Sequence, residues 1–215
     1  MELPDIQRIA AFDDNGQGGN PAGVWIGAAL PPVAEMARIA HAVGFSETAF
    51  AAPQGEGWRV RYFSPESEVP FCGHATIALG AALARAHGDG RYALTLNAAS
   101  ITVEGRSDGE RVQAALQSPS TRSRPADAQL VDAALALFGY TRADLDPRIP
   151  PALAHGGADH LVLALSSRAL LAAMRYDLDA GRALMLEHGL VTVVLAWAEH
   201  PQLFHTRNPF ASGGV

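Results

Sequence analysis

The chain has 215 residues and carries 22 acidic against 16 basic side chains, which gives a formal net charge of -6 at neutral pH. This length suggests one or two domains, and a hydrophobic content of 48% is enough to build a core. Because no basic cluster stands out, the sequence predicts no nucleic-acid partner.

Two residue types limit the chemistry that the chain can perform. All 16 of its strongly basic residues are arginine, so no lysine can hold pyridoxal phosphate or complete a Walker phosphate loop. Cys72 is the single cysteine, which excludes an internal disulfide and a cysteine-based zinc centre, and no HxH or HExxH spacing occurs. We therefore expect neither a cofactor nor a metal.

The first half of the chain predicts strands around one buried helix. Residues 1–5 lack the features of a signal peptide, and no segment reaches the about 20 apolar residues of a membrane span, so we expect a cytoplasmic protein with no membrane partner. Residues 75–84 contain no charge, which predicts a helix that is buried on all sides. The expected strands are 6–12, 22–27, 47–52, 58–63, 92–96, 101–104 and 111–116, and the expected helices are 31–44 and 73–87.

The second half begins with a polar stretch, 117–127, that is typical of a linker. After it, the sequence again predicts a mixture of strands and helices. We expect Ser166 and Asp179 to cap two of its helices. The expected helices are 128–138, 167–176 and 179–188, and the expected strands are 160–165, 191–197 and 203–207. The domains are thus an N-terminal lobe, 1–118, and a C-terminal lobe, 119–215. Because the second half has no all-apolar helix of its own, we expect the chain to be part of a longer protein.

The start of the buried helix, Gly73-His74, is a candidate binding site. A buried helix N-terminus leaves several N–H groups without partners, and an anion such as a carboxylate satisfies them well. Capping by protein groups is the commoner alternative and stays open. His74 is a candidate proton donor or relay, and the alternative is a histidine that only fills space.

Three further residues are candidates for chemistry. Glu47 is the one acid in a mostly apolar stretch, where burial of an unpaired carboxylate is costly, and a desolvated carboxylate suits the role of a general acid or base. The alternative for Glu47 is the solvent face of an edge strand. Cys72 could be a helix-terminus thiolate of lowered pKa or an inert buried thiol. Asn20, in a glycine-rich turn, could orient a polar substrate group.

Five motifs, taken together and in their order along the chain, resemble the PhzF family of phenazine biosynthesis, which has the diaminopimelate epimerase-like fold. The most specific motif is Phe71-Cys72-Gly73-His74-Ala75-Thr76. The other four are Gly19-Asn20-Pro21-Ala22-Gly23-Val24, Gly44-Phe45-Ser46-Glu47-Thr48-Ala49-Phe50, Arg61-Tyr62-Phe63-Ser64-Pro65 through Glu68-Val69-Pro70, and Phe204-His205-Thr206-Arg207-Asn208-Pro209-Phe210.

The resemblance implies an α+β fold of two similar lobes, each a curled, mostly antiparallel sheet wrapped around a central helix, with the second lobe incomplete. It implies a cofactor-independent isomerase that shifts a proton on a small carboxylate, as in the family's isomerisation of a dihydro-hydroxyanthranilate. Glu47 would be the catalytic acid/base, His74 would assist, and Asn20, Cys72 and Gly73 would contribute to substrate binding. A homodimer is the expected assembly.

The chain departs from the family pattern at its C-terminus, where family members continue with an EDPATGSA-like motif. The C-terminal remainder of the same protein is therefore an expected partner, and we expect this chain to be inactive without it. Two other functions stay open. One is a two-base epimerase or racemase, because epimerase relatives have a catalytic cysteine where Cys72 stands. The other is a non-catalytic binding or scaffold protein.

Overall fold

The computed structural model describes residues 5–109 and 111–215. Residues 1–4, part of the segment in which the sequence predicts no signal peptide, lie outside that range. The chain forms two compact units, a first unit of Met1–Pro119 and a second unit of Ser120–Val215. No helix in the described ranges is long and apolar enough to cross a membrane.

The first unit is built on one eight-stranded sheet. In chain order its strands are β1 (Gln7–Ala11), β2 (Asn20–Ile26), β3 (Thr48–Gln54), β4 (Gly57–Phe63), β5 (Glu68–Val69), β6 (Gly90–Thr95), β7 (Ser100–Asp108) and β8 (Arg111–Gln117). The spatial order is β1-β2-β3-β4-β6-β7-β8, with β5 paired to β4. The pairs β2–β3 and β4–β6 are parallel, and the remaining neighbours are antiparallel.

This sheet curls around α2 (Gly73–His87), the helix that the uncharged run predicts. Small residues allow the close approach of helix and strand. A Cβ on Gly80 would lie 2.4 Å from Val103 Cγ2, and one on Gly105 would lie 2.5 Å from the Gly80 carbonyl oxygen. The helix backbone therefore lies almost directly on β7, and the expected α+β class with a curled sheet around a buried helix is confirmed.

The opposite face of the same sheet is covered by α1 (Val33–Val43). Met36 and Ile39 of α1 pack with Phe50 of β3 in one apolar cluster. Gly44 then ends the helix in the left-handed conformation, with a φ of 73°. Because side chains alternate along a strand, Phe50 and Thr48 share the α1 side of the sheet and Ala49 points to the α2 side.

The second unit has a five-stranded sheet and three α-helices. Its strands are β9 (Arg122–Pro125), β10 (Ala152–His155), β11 (Asp159–Ala164), β12 (Thr192–His200) and β13 (Leu203–Arg207), in the spatial order β13-β12-β11-β10-β9. The helices are α3 (Ala128–Phe138), α4 (Arg168–Ala172) and α5 (Leu178–Glu187). They pack on one face of the sheet, where Leu161, Leu163, Val193 and Leu195 join their apolar side chains in a common core.

Several sequence predictions for the second unit are wrong in detail. The stretch expected to be a linker contains β9, whose four residues are all exposed, so no hydrophobic alternation reveals an edge strand. The helix caps are Ser167 and Asp177, each accepting a backbone N–H bond with its side chain, and not Ser166 and Asp179. The helix expected at 167–176 is only α4, and β10 has no counterpart among the expected strands.

Candidate active site

The candidate site lies where the entrance to β3 meets the first turn of α2. Glu47 directly precedes β3, and the alternation of side chains puts it on the same side as Ala49, facing α2. Cys72 is the N-cap of α2, and Gly73 and His74 form its first turn. Two elements of the core therefore bring together a carboxylate, a thiol and an imidazole that are distant in sequence.

The three side chains lie within direct reach of one another. Glu47 Oε2 is 3.6 Å from His74 Nε2, and Cys72 Sγ is 3.2 Å from His74 Nδ1. The Glu47 and His74 side chains are only 10% and 11% exposed. The alternative that placed Glu47 on a solvent-facing strand edge is wrong, since its carboxylate is enclosed between the sheet and the helix start.

Burial dominates the protonation of His74. It lowers the pKa of the imidazole, while the Glu47 carboxylate and the backbone carbonyl of Pro21 act in the opposite direction. The ring is therefore biased toward its neutral form. Its buried Nε2 has no hydrogen-bond partner within the described part of the chain. A neutral ring with a free nitrogen can accept or pass on a proton.

Cys72 is a protonated thiol in this setting. Burial raises the pKa of the thiol well above its usual value, and the nearby Glu47 carboxylate raises it further, whereas the N–H groups of Ala75 and His74 oppose the rise. The prediction of a thiolate with a lowered pKa is wrong, because desolvation outweighs the field of the helix N-terminus. A neutral thiol can donate a proton but is a weak nucleophile.

Gly73 leaves room at the start of α2. A Cβ at this position would meet no atom within 4 Å, in contrast to Gly80 in the middle of the same helix. The first N–H groups of an α-helix have no partner inside the helix. The helix start thus combines open space with backbone N–H groups, of which those of His74 and Ala75 contact the Cys72 thiol, and a bound carboxylate at Gly73 and His74 stays a prediction.

Asn20 lies at the edge of the site. It begins β2 and is exposed, while the carbonyl of its neighbour Pro21 faces the His74 ring. The turn before it depends on Gly19, whose φ is 77° and whose Cβ would lie 2.7 Å from the Ala11 carbonyl oxygen. The structure therefore brings Asn20 near the other candidates through the backbone of its neighbour.

Two residues that the sequence analysis did not single out support the helix start. The hydroxyl of Thr76 donates to the Cys72 carbonyl over 2.6 Å, and the Tyr62 hydroxyl lies 2.6 Å from Thr76 Oγ1. Because the Thr76 proton is engaged with Cys72, the Tyr62 hydroxyl is the donor of the second bond. A threonine four residues after a helix N-cap is the one sequence signal that could have indicated this chain of hydrogen bonds.

Glu47, Cys72 and His74 are also residue types that bind metal ions. One donor atom from each lies within 4.8 Å of the other two. The expectation of no metal was based on spacing along the sequence, and such spacing cannot detect donors that come from separate elements.

Comparison with known proteins gives a consistent result. A family model described as phenazine biosynthesis-like protein, PhzC-PhzF, matches residues 9–215. The uncharacterised isomerase YddE of Escherichia coli O157:H7 is 30% identical over 191 residues, which are 86% of this chain and 64% of that protein. The chain thus spans somewhat less than two thirds of the length of this curated relative.

Solved structures show the same fold. A PhzF-family phenazine biosynthesis protein of Bacillus anthracis matches with a TM-score of 0.76 at 21% identity, over 98% of this chain and 73% of that one. A predicted epimerase of Pseudomonas aeruginosa matches with a TM-score of 0.78 at 21% identity, over 96% of this chain and 78% of that one. At these identities the likeness supports the architecture and leaves the chemistry to the site residues.

Proposed function

This chain belongs to the phenazine biosynthesis-like protein family, and from that membership we propose that it carries the catalytic base of a cofactor-independent isomerase acting on a small carboxylate. Glu47 is the proposed acid/base, and His74 assists it. One observation carries the proposal: the Glu47 carboxylate is buried at the N-terminus of a core helix, 3.6 Å from a neutral imidazole.

In the proposed reaction, the substrate carboxylate binds to the N–H groups of Gly73 and His74, where the helix dipole favours negative charge. Glu47 then removes a proton from a substrate carbon. As the C–H bond breaks and the O–H bond forms, the electron pair moves into the conjugated system next to the substrate carboxylate. Glu47, whose carboxyl proton exchanges with solvent, then delivers a proton to a second carbon on the same face, so the substrate is isomerised without net gain or loss of electrons.

His74 and Asn20 have supporting roles in this proposal. A neutral imidazole beside the base can donate a hydrogen bond to the negative charge that develops on the substrate, or relay the proton. Asn20, at the exposed edge of the site, binds a second polar group of the substrate. A single dominant carboxylate base suits a proton shift on one face of the substrate.

A two-base epimerase is the second candidate. Cys72 Sγ lies 3.2 Å from His74 Nδ1, and its neutral thiol is the correct protonation state to deliver a proton to carbon. Delivery to the opposite face requires Cys72 and Glu47, whose donor atoms lie within 4.8 Å, to separate around the substrate. In that reaction Glu47 removes the proton and Cys72 supplies a new one from solvent exchange.

The test measures uptake of deuterium from D2O into substrate by the full-length protein, followed by mass spectrometry. The substrates are a dihydro-hydroxyanthranilate and the common L-amino acids. We expect Glu47→Gln to lower the exchange rate by about 100- to 10,000-fold, the usual contribution of general acid–base catalysis. The matched control is Glu104→Gln, which neutralises an exposed carboxylate of the first unit and leaves the rate unchanged.

Cys72→Ala distinguishes the two candidates. The single-base isomerase predicts a much smaller loss in this variant than in Glu47→Gln. Normal exchange in Glu47→Gln together with none in Cys72→Ala would reverse the assignment and favour the epimerase. A folded protein that binds these carboxylates but exchanges no proton would contradict catalysis and favour a binding or scaffold role.

A further inference from the structure

The Glu47–Cys72–His74 cluster has a composition that acid–base catalysis alone does not explain. Its three donor atoms are an oxygen, a sulfur and a nitrogen, and all lie within 4.8 Å of one another. They are held by the entrance to β3 and the first turn of α2, two elements of the first unit's core. A fixed set of three mixed donors with adjacent open space is the usual form of a binding site for a borderline or soft metal ion.

The donor distances can reach those of tetrahedral coordination after a rearrangement of the side chains. Zn²⁺ bonds of about 2.0–2.3 Å to nitrogen, oxygen and sulfur place neighbouring donors about 3.3–3.6 Å apart. Cys72 Sγ lies 3.2 Å from His74 Nδ1, and Glu47 Oε2 lies 3.6 Å from His74 Nε2, so the two contacts involve different nitrogens of one ring. Binding of a single ion therefore requires a rotation of the imidazole that turns one nitrogen toward both Sγ and the carboxylate, and it draws the three donors closer than their present limit of 4.8 Å.

A second observation points to a ligand at this position. The buried Nε2 of His74 has no hydrogen-bond partner within the described residues, although buried polar atoms are normally paired. The open space at Gly73 leaves room for a fourth ligand, such as water. Three protein donors and one open position are typical of zinc sites that exchange their fourth ligand.

We propose that Glu47, Cys72 and His74 bind a thiophilic divalent cation, Zn²⁺ or Cd²⁺, and that this binding reversibly inhibits the enzyme. The inhibition, unlike the binding itself, rests on the proposed function, because the ion occupies the carboxylate and the imidazole that move the substrate proton. On binding, the S–H bond of Cys72 breaks, the metal–sulfur bond forms, and the proton leaves to the buffer. The thiolate favours these ions over Mg²⁺ and Ca²⁺, which prefer oxygen ligands.

The binding test uses Co²⁺ as a spectroscopic substitute for Zn²⁺, with no substrate present. We expect the full-length protein to show thiolate-to-cobalt charge-transfer absorption in the near ultraviolet, which Zn²⁺ abolishes by displacement and Mg²⁺ does not. Calorimetry in two buffers of different ionisation enthalpy should reveal the released proton. Cys72→Ser should remove the absorption and weaken Zn²⁺ binding by at least about 100-fold, more than the typical loss of a supporting residue.

The matched control is His155→Asn, which disrupts a histidine–carboxylate pair of the second unit and should leave both signals unchanged. Circular dichroism verifies that each variant is folded. If the folded protein shows no charge-transfer band, or if the band persists in Cys72→Ser, the site does not exist.

Inhibition is tested separately from binding and from activity. Deuterium exchange is first measured with a chelator, which tests the proposed function alone, and then with increasing Zn²⁺. We expect the exchange to fall over the same concentration range in which Zn²⁺ displaces Co²⁺. Exchange that continues at saturating Zn²⁺, or that is lost in chelator and restored by Zn²⁺, would overturn the inhibitory role. A chain that binds Co²⁺ but never exchanges a proton would contradict the proposed function while supporting the metal site.

Discussion

Each of the two units contains a histidine beside a carboxylate, and the closer pair is the more exposed one. In the second unit, His155 Nδ1 lies 2.7 Å from Asp159 Oδ1, with side chains that are 21% and 51% exposed. In the first unit, His74 Nε2 lies 3.6 Å from Glu47 Oε2, with side chains that are 11% and 10% exposed. Water screens the exposed His155–Asp159 pair but has little access to the buried His74–Glu47 pair. Burial, more than distance, therefore distinguishes the pair that is suited to proton transfer.

The two pairs also differ in why they exist. His155 and Asp159 are direct cross-strand partners in the antiparallel β10–β11 pair, and Arg122 adds a further contact to Asp159 at 3.7 Å. Such pairs are an ordinary feature of sheets. Glu47 and His74 are not partners in a ladder. Only the packing of α2 inside the curled sheet brings them together.

The largest expected difference between the pairs is in catalysis. His74→Asn preserves the approximate size of the side chain but removes the titrating ring, so we expect the deuterium exchange rate to fall by about 100-fold, the lower end of general acid–base contributions. His155→Asn should leave the rate unchanged, since its partner is exposed on the second unit. Parallel exchange assays on the two variants check this. Equal losses in both would show that burial does not distinguish the pairs.

A smaller effect is expected from two phenol groups, the buried one of Tyr62 and the half-buried one of Tyr140. Tyr62→Phe removes the hydrogen bond to Thr76 that supports the first turn of α2, and we expect the free energy of unfolding to fall by about 0.5–1.5 kcal/mol. Tyr140→Phe removes a bond of the half-buried Tyr140 hydroxyl to the Leu170 carbonyl in the second unit, where water can replace it. Urea denaturation of both variants measures the difference. A larger loss for Tyr140→Phe would contradict the tighter enclosure of the first unit's site.

The smallest expected effect is on the pH dependence of stability. Burial lowers the pKa of His74, so the unfolded chain binds a proton more readily than the folded one. The stability that this neutral ring contributes is fully present above the unfolded pKa of about 6.5 and is lost as the pH falls below it. We therefore expect the free energy of unfolding to decrease from pH 7 to pH 5.

Two variants sharpen this measurement. His74→Asn should make the decrease shallower, and so should His160→Asn in the second unit, because burial also lowers the pKa of His160. Asp146 acts in a separate range, since its contact with Arg148 lowers the pKa of its carboxyl group to about 2, and its contribution is lost only as the pH falls below about 4. A decrease that is equally steep in His74→Asn would show that the buried ring does not resist protonation.

Local sequence determined much of the first unit. The uncharged run from Ala75 to Ala84 predicted the buried helix, because a helix that is apolar on every side is typically buried on every side. The ordered motifs around Asn20, Glu47 and Gly73 predicted the family and the curled sheet. Most strands were recognisable from their apolar residues, but the exposed edge strand β9 and the half-buried β10 were not.

Tertiary structure alone decided the state of the site. The sequence names a carboxylate, a thiol and an imidazole, but their chemistry depends on how much water each loses when α2 enters the sheet. That desolvation makes Cys72 a thiol although it lies at a helix N-terminus, and biases His74 toward its neutral form although it lies beside Glu47. Local sequence encodes the periodicity of an element, whereas desolvation is a property of everything packed around a group.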